Sequence, residues 1–414
     1  MQDRMRGSKS NQMFSSPPKS QEYIPLQTRS DLKKTGERNI TGKLPPPARS
    51  FVGIALPAVF AILFLFQCVH AEKPKTAQQS KNEIQKLIDA AEKGDGSAQL
   101  RLAYCYETGT DVARDELKAI EWYVRAFQET LQKAENGDAF SQWALGKLYR
   151  DGTGIVQDEG EAVRWYKKSA AQGNLDALND LGELYYEGRG SRLPKNYTEA
   201  AKHFSEAAKR GCPSAQYSLG VCYSEGAGVP QSDPTALKWF QLAAKQGNIN
   251  AIFNVAKAYQ KGMGVDQDEK ESFRWYEKAA KLGDAESQSI VGWCYATGTS
   301  GTPKNMEQAL VWTRKAADQG NLHAQLNLAA CYQNGEVGLT RDAKKAAEWY
   351  SKAANQGSPD GQYQLGLCHE TGAGFARNEK EAMKWFLAAA LQGHPQAKEK
   401  VLSRLKGVQP DHPD

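Results

Sequence analysis

Ser141-Gln-Trp-Ala-Leu-Gly-Lys-Leu-Tyr-Arg-Asp-Gly-Thr-Gly154 recurs along the chain with small changes. It returns as AQYSLGVCYSEGAG at 215–228 and as GQYQLGLCHETGAG at 361–374. A second segment follows each copy and carries a Trp or His at a fixed position: Trp122, Trp165, His203, Trp239, Trp275, Trp312, Trp349 and Trp385. These positions are 36 to 43 residues apart, so the 414-residue chain contains eight tandem units. A repeat of this period predicts a solenoid rather than separate globular domains.

Each unit carries the signals of two helices. In the first, Leu145, Gly146 and Tyr149 share one face, the small Gly146 lets a neighbouring helix approach closely, and Gly152 and Gly154 stop the helix. The second helix opens with a polar N-cap: Asp115, Asp158, Asn196, Ser232, Asp268, Asn305, Asp342 or Asn378. It ends at a glycine suited to a left-handed conformation: Gly94, Gly137, Gly173, Gly211, Gly247, Gly283, Gly320, Gly357 or Gly393.

Two repeated positions are predicted to belong to the core. A large residue at the Trp/His position fills the groove between successive helices. Five cysteines share one position of the first helix and are predicted to be buried as small hydrophobic residues: Cys105, Cys222, Cys294, Cys331 and Cys368. Cys212 lies elsewhere in its unit and has no assigned partner.

The array has one irregular unit and two half-units. Residues 127–133 are an insertion of seven residues, which predicts that the second helix of unit one is about two turns longer than the others. A lone second-type helix at Asn82–Lys93 and a lone first-type helix at Pro395–Leu405 are predicted to cap the stack.

The surplus charge of the protein lies at its N-terminus. The net charge is +5, and residues 1–50 alone hold ten Lys or Arg against four Asp or Glu, so the rest is nearly neutral and shows no basic excess for nucleic acid. The run that follows is uncharged, and residues 51–69 are long enough to span a bilayer. The positive-inside bias then puts the repeats outside the cytoplasm on a single-pass anchor. Cleavage after Ala71, giving a secreted or periplasmic protein, is the alternative.

The predicted organisation has five parts. Residues 1–50 form a basic, disordered tail with Pro and Ser, 51–70 a transmembrane or signal helix, and 71–82 a linker. The solenoid covers 83–406, and 407–414 form a disordered C-terminus.

The pattern Ala-x-x-x-Leu-Gly-x-x-Tyr-x-x-Gly-x-Gly, followed by Ala-x-x-Trp-Tyr-x-x-Ala-Ala-x-x-Gly, resembles the Sel-one-like repeat, a relative of the tetratricopeptide repeat. The resemblance covers about 83–406. It implies an all-α, right-handed α/α superhelical solenoid that holds partner proteins together and is not an enzyme.

Residue patterns for catalysis or cofactors are not evident. The Gly-x-Gly pairs follow a helix and lack a Lys-Ser/Thr, which predicts helix-ending turns and no nucleotide site. The six histidines show no metal spacing, and no nucleophile motif accompanies them, so we expect no catalytic residues, cofactor or metal. A cysteine-rich branch of the family, associated with β-lactam binding, joins its two helices through a disulfide; the first of those cysteine positions is Ala171, Ala208, Ala244 or Ala280 here.

One face of the first helices is a candidate binding surface, because tetratricopeptide-like stacks bind peptides on this concave face. Aromatic and charged side chains there suit protein recognition. The ten residues of this predicted binding face are Trp143, Lys147, Arg150, Asn179, Glu183, Tyr217, Phe253, Lys257, Trp293 and Tyr363. The alternative is that concave walls pack against one another in a tight superhelix.

The functional hypothesis is a non-enzymatic adaptor, membrane-tethered or exported, that binds another protein or peptide in this concave face. An envelope hydrolase or a cell-wall- or β-lactam-binding protein of the cysteine-rich type is the second hypothesis.

Overall fold

The computed structural model describes residues 77–153, 155–188, 193–336 and 338–406, and within them it contains eighteen helices. They fall into two compact units, divided after Ser232. The N-terminal unit contains α1 Ala77–Glu92, α2 Gly96–Thr108, α3 Glu116–Glu135, α4 Ala139–Asp151, α5 Glu159–Ala171, α6 Leu175–Glu187, α7 Tyr197–Lys209 and α8 Pro213–Glu225. The C-terminal unit contains α9 Asp233–Lys245, α10 Ile249–Lys261, α11 Glu269–Lys281, α12 Ala285–Thr297, α13 Met306–Asp318, α14 Leu322–Asn334, α15 Ala343–Asn355, α16 Pro359–Thr371, α17 Glu379–Leu391 and α18 Pro395–Lys406.

The helices alternate as the sequence pattern predicts. First helices have even numbers and second helices odd ones, and most contain 13 residues. The second helix of the first repeat, α3, contains 20 residues, which confirms the effect of the seven-residue insertion. A lone second-type helix, α1, and a lone first-type helix, α18, flank the pairs. Helix α1 begins at Ala77, inside the segment predicted to be a linker.

Capping follows the local signals closely. Predicted N-caps of second helices accept a backbone N–H at Asp115, Asp158, Asn196, Asp268, Asn305, Asp342 and Asn378. All nine glycines predicted to end second helices have positive φ, from 86° to 102°. First helices are capped too, a feature not predicted, by Asp138, Asn174, Asn248, Asp284, Asn321 and Ser358. Each helix therefore has its ends specified locally.

Glycines in the first helices bring each pair of helices together. A Cβ on Gly146 would lie 2.6 Å from Cδ1 of Tyr166, and one on Gly182 would lie 2.6 Å from Cε1 of Phe204. These aromatic residues directly follow the Trp/His position. The predicted close approach is confirmed, and the partner is the aromatic ring of the second helix.

The core prediction needs a correction at the Trp/His position. Trp122, Trp165 and Trp312 are buried, but His203 and the other four tryptophans are only half-buried. The residue directly after the Trp/His position is buried in all eight repeats: Tyr123, Tyr166, Phe204, Phe240, Tyr276, Thr313, Tyr350 and Phe386. Some of the half-buried tryptophans instead carry a cation over the ring; Nζ of Lys352 lies 3.5 Å from the Trp349 ring centroid and Nζ of Lys278 lies 4.9 Å from that of Trp275.

A buried glutamine joins successive repeats, and the sequence did not predict it. Nε2 of Gln99, Gln142, Gln216, Gln288 and Gln325 donates to the carbonyl oxygen of the residue eight positions earlier, at the end of the preceding second helix. Oε1 of Gln142 accepts from Gln172, and Oε1 of Gln288 accepts from Gln319, at 2.8 and 2.7 Å. We call this series the glutamine ladder. It satisfies backbone carbonyls that helix ends leave without an intrahelical partner.

The cysteines follow their predicted role in four of five cases. Cys222, Cys294, Cys331 and Cys368 are buried, while Cys105 is half-buried. Burial raises the pKa of Cys331 and Cys368 to about 11 in each case. Cys212 is also buried and lies at the N-cap of α8 without a side-chain capping bond. The six cysteines of the described residues are all free.

Several predictions concern residues outside the described part of the chain. The tail 1–50, the membrane segment 51–70, the beginning of the linker and residues 407–414 all lie there. Among the helices that the structure describes, none combines the length and apolar character needed to cross a membrane. The handedness of the superhelix stays a prediction.

Candidate functional site

The predicted binding face lies on six first helices. Trp143, Lys147 and Arg150 are on α4, Asn179 and Glu183 on α6, and Tyr217 on α8 of the N-terminal unit. The C-terminal unit carries Phe253 and Lys257 on α10, Trp293 on α12 and Tyr363 on α16. Trp143, Lys147, Asn179 and Lys257 are buried and the other six are half-buried.

Trp143 connects α4 to α6. Its Nε1–H donates to Oδ2 of Asp180 at 2.8 Å, and both residues are buried. Nζ of Lys147 lies 4.9 Å from the Trp143 ring centroid, one helical turn along α4. The Phe140 ring, whose residue is 58% exposed, lies 5.3 Å from the Trp143 ring. The indole thus makes a buried charge-assisted hydrogen bond and borders an exposed aromatic edge.

Arg150 connects the same helices by ion pairs. Its Nε donates to Oδ1 of Asp151 at 2.9 Å, and its Nη1 lies 3.6 Å from Oε2 of Glu183. Oε1 of Glu183 also accepts from Nδ2 of Asn179 at 2.9 Å. These side chains are 12% to 29% exposed, so they are screened less than surface pairs. Five of the ten predicted residues therefore belong to one polar network of α4 and α6.

Four acidic residues surround that network, and we call Asp151, Asp176, Asp180 and Glu183 the carboxylate cluster. Burial and then the Asp180 charge raise the pKa of Glu183 to about 7, although Arg150 and Asn179 act in the opposite direction. Burial and then Asp180 also raise the pKa of Asp176. The cluster carries more negative charge than Lys147 and Arg150 neutralise.

Tyr166 of α5 is close enough to the carboxylate cluster to be affected by the charges of Asp180, Asp151 and Glu183. Burial and then Asp180 raise the pKa of its phenol well above the usual range. Its hydroxyl is buried and has no hydrogen-bond partner among the described residues.

Sequence reasoning missed Asp151, Asp176, Asp180 and Tyr166. A signal for part of the cluster was present. Asp176, Asp180 and Glu183 are spaced i, i+4 and i+7 along α6, so they occupy one stripe of the helix.

The four predicted residues of the C-terminal unit lie in different surroundings. Phe253 packs edge-to-face on Tyr276 at 5.4 Å, whereas Tyr363 stacks on His394 at 4.5 Å in another hydrophobic cluster. Burial and then Lys261 lower the pKa of Lys257. The Nε1–H of Trp293 is buried and finds no acceptor among the described residues. This part of the face is mainly aromatic.

Side-chain groups for metal chemistry are not apparent in the part of the chain that the structure describes. It contains no group of three or more His, Cys, Asp or Glu residues that could hold a metal ion. The arrangement on α4 to α6 suits recognition by hydrogen bonds and charge.

The family model for the Sel1 repeat matches eight times along the chain, at residues 96–129, 139–174, 175–212, 213–248, 249–284, 285–321, 322–358 and 359–394. The chain belongs to the Sel1 repeat family. Each matched Sel1 repeat begins with a first helix and continues into the second helix that follows it; the first match ends within α3, and the other seven contain the whole second helix. The eight units predicted from the spacing of the Trp/His position are confirmed.

Solved structures of other Sel1 repeat proteins are similar over most of the chain. A Sel1 repeat protein from Oxalobacter formigenes is 28% identical, with a TM-score of 0.57, and the match covers 87% of this chain and 98% of that one. A protective antigen present in uropathogenic Escherichia coli strains, described as displaying an SLR fold, is 34% identical with a TM-score of 0.56. That match covers 79% of this chain and 68% of the antigen.

A curated relative shares only a short stretch. Over 51 residues the chain is 47% identical to the ERAD-associated E3 ubiquitin-protein ligase component HRD3B of Arabidopsis thaliana. The stretch spans 12% of this chain and 8% of that protein. Sel1 repeat proteins are generally non-catalytic scaffolds for protein interactions, which agrees in kind with the adaptor hypothesis.

Proposed function

We propose that this protein is a non-enzymatic adaptor that binds another protein or peptide on the predicted binding face. The observation that carries the proposal is the network of α4 and α6, where Trp143, Arg150 and Glu183 are held in place by hydrogen bonds and ion pairs. Trp and Arg are the residue types most enriched among interface residues that dominate binding energy. Side chains already fixed in one geometry lose less entropy on binding.

The face keeps part of its polar surface accessible. The Glu183 side chain is 29% exposed, and Tyr217, Phe253, Trp293 and Tyr363 are half-buried. A partner segment could therefore contact the outer edges of residues whose bases are packed. The alternative, that these side chains serve only to pack the helices, predicts that none of them contacts a partner.

The location of the adaptor belongs to the same proposal. The uncharged run at 51–69, preceded by a basic tail, supports a single-pass anchor with the repeats outside the cytoplasm. Cleavage after Ala71 would release the repeats on the same side. Fractionation combined with an intact-mass measurement separates these two cases, and recovery of the uncleaved protein in the cytosol would contradict both.

Site-specific photo-crosslinking tests the binding face directly. A photoreactive phenylalanine analogue would replace Glu183, Tyr217 or Tyr363 in the full chain, expressed in cells that naturally make it. Matched controls place the analogue at Val311 or Leu387, which are 42% and 43% exposed on second helices. We expect one protein to be captured from the first-helix positions and to bind again when purified. Capture from Val311 and Leu387 alone would contradict the proposal.

A further inference from the structure

The carboxylate cluster has an excess of negative charge that the N-terminal unit does not neutralise. Asp151 is paired with Arg150 at 2.9 Å, and Glu183 is 3.6 Å from the same guanidinium. Asp180 accepts from two neutral donors, the indole N–H of Trp143 at 2.8 Å and the amide N–H of Asn179 at 3.5 Å. Four carboxylates thus share two cations, Arg150 and Lys147, and Asp151 and Asp180 are only 12% and 9% exposed.

Unused hydrogen-bonding atoms point to a missing ligand at the same place. Tyr166 is 0% exposed, its hydroxyl has no partner among the described residues, and the charges acting on it are those of Asp180, Arg150, Asp151 and Glu183. Oδ1 of Asn179, a residue that is 4% exposed, also lacks a donor. Buried polar groups are normally hydrogen-bonded, so both oxygen atoms are candidates to accept from a group that brings N–H donors.

The cluster can be reached from solvent. Asp176 is exposed at the beginning of α6, and the Glu183 side chain is 29% exposed. Phe140, 58% exposed, borders Trp143. An entering side chain would pass an aromatic edge and meet carboxylates, a combination that favours cations.

We propose, on the basis of the adaptor function above, that the carboxylate cluster of the N-terminal unit binds an arginine side chain of an extended partner segment. A guanidinium offers five N–H donors in a planar fork and pairs with carboxylates through two parallel bonds. It would supply donors for Glu183 and Asn179 and positive charge for Asp180. Lysine has three donors around one point charge and matches this spread of acceptors less well.

Fluorescence anisotropy with the full chain tests the assignment. The probe is a fluorescein-labelled Gly/Ser peptide carrying three arginines, and its counterpart carries citrulline, which keeps the shape without the charge. We expect the arginine peptide to bind about tenfold more tightly than the citrulline peptide, the factor that corresponds to one net charge-assisted hydrogen bond. Equal binding of the two peptides would overturn the proposal.

Substitutions locate the binding. Glu183→Gln and, separately, Asp180→Asn should each weaken the arginine peptide about tenfold, with thermal melting used to confirm folding. The matched control is Glu370→Gln on α16, because Glu370 is similarly half-buried but already paired with Lys400 and Arg404 at 2.8 and 2.6 Å. Equal loss of affinity in all three variants would overturn the proposal.

Two further outcomes distinguish this proposal from binding of the protein's own basic tail and from an adaptor function that does not involve arginine. If an unlabelled peptide of residues 1–50 displaces the probe at a tenfold lower concentration than the probe peptide itself, the protein's own basic tail is the occupant and the partner assignment is wrong. If a partner is crosslinked at Glu183 but binds equally to Glu183→Gln, the adaptor function stands and the arginine assignment fails.

Discussion

The predicted binding face differs between the two units although both are built from the same repeat. In the N-terminal unit it is a network in which Trp143, Arg150, Asp180 and Glu183 hold one another. In the C-terminal unit Phe253 and Tyr363 pack into separate aromatic contacts. The difference shows that the repeat consensus specifies helices and their pairing, while residues outside the consensus decide which side-chain contacts each part of the face makes. Paired substitutions, one in each unit, test this contrast.

The largest expected difference comes from replacing the cation of each unit with an apolar residue of similar length. Arg150→Met leaves the buried carboxylates of Asp151 and Glu183 without their cation, and should lower the free energy of unfolding of the N-terminal unit by about 3–5 kcal/mol. Lys257→Met should change stability by less than about 1 kcal/mol, because burial already disfavours the charged form of Lys257. Urea denaturation with hydrogen exchange of each unit would measure both. Similar losses would remove the contrast.

The two tryptophans offer the next test. Trp143→Phe removes the donor to Asp180 and leaves a buried carboxylate without it, which should cost about 2–3 kcal/mol. Trp293→Phe removes an N–H that has no acceptor among the described residues, so its cost should stay below about 1 kcal/mol. The same denaturation measurements apply. A larger loss for Trp293→Phe would mean that its indole N–H is bonded in solution.

The raised pKa of Glu183 predicts a pH dependence of the N-terminal unit. The groups facing it are Asp180 and Glu187 on α6, Arg150 on α4 and Tyr166 on α5. In the folded protein the pKa of Glu183 is about 7, whereas its ordinary value is 4.5. The contribution of Glu183 to the free energy of unfolding is therefore fully present below about pH 4.5 and is lost as the pH rises through about 7.

Stability of this unit should therefore fall by about 1–2 kcal/mol between pH 5.5 and 8, after allowance for the partial exposure of Glu183. Glu183→Gln should remove that slope, and hydrogen exchange at a series of pH values would reveal it. A rise in stability over the same range, reversed by the substitution, would show that Glu183 titrates normally.

The smallest expected effect concerns two equivalent tyrosines. The hydroxyl of Tyr350 donates to Oε1 of Gln333 at 2.7 Å, whereas that of Tyr166 has no partner within the described part of the chain. Tyr350→Phe should cost about 1 kcal/mol, and Tyr166→Phe should be neutral or slightly stabilising. Thermal melting resolves a difference of this size. A measurable cost at Tyr166 would indicate a bound water or ligand on its hydroxyl.

Local features of the fold could be predicted from the sequence, because helix caps and C-terminal glycines act within a few residues. Which aromatic residue of each second helix is buried most deeply could not be predicted in this way. Trp385 and Phe386 are adjacent and both large, yet only Phe386 is fully buried, against Gly366 of the partner helix. The glutamine ladder escaped notice for a related reason, since the partner of Gln142 is a backbone carbonyl that carries no side-chain signal.

The candidate site was predicted in part. Helical periodicity placed Trp143, Arg150 and Glu183 on one face, and the structure brings them into one network, but periodicity did not reveal that Trp143 is bonded to a residue one repeat away. Trp143 and Asp180 are 37 residues apart, so only an alignment of successive units brings them together. The charge of the cluster depends on burial, which periodicity alone does not measure.

The glutamine ladder has a consequence for how such a chain can evolve. At Gln142, Gln288 and Gln325 the rung bonds forward to a glutamine of its own repeat, as Gln325 does to Gln356, and backward to a main-chain carbonyl, as Gln325 does to Ala317. A main-chain carbonyl is present whatever residue occupies that position. A repeat carrying its own pair of glutamines can therefore be duplicated or deleted, and the joint to its new neighbour re-forms without a compensating mutation.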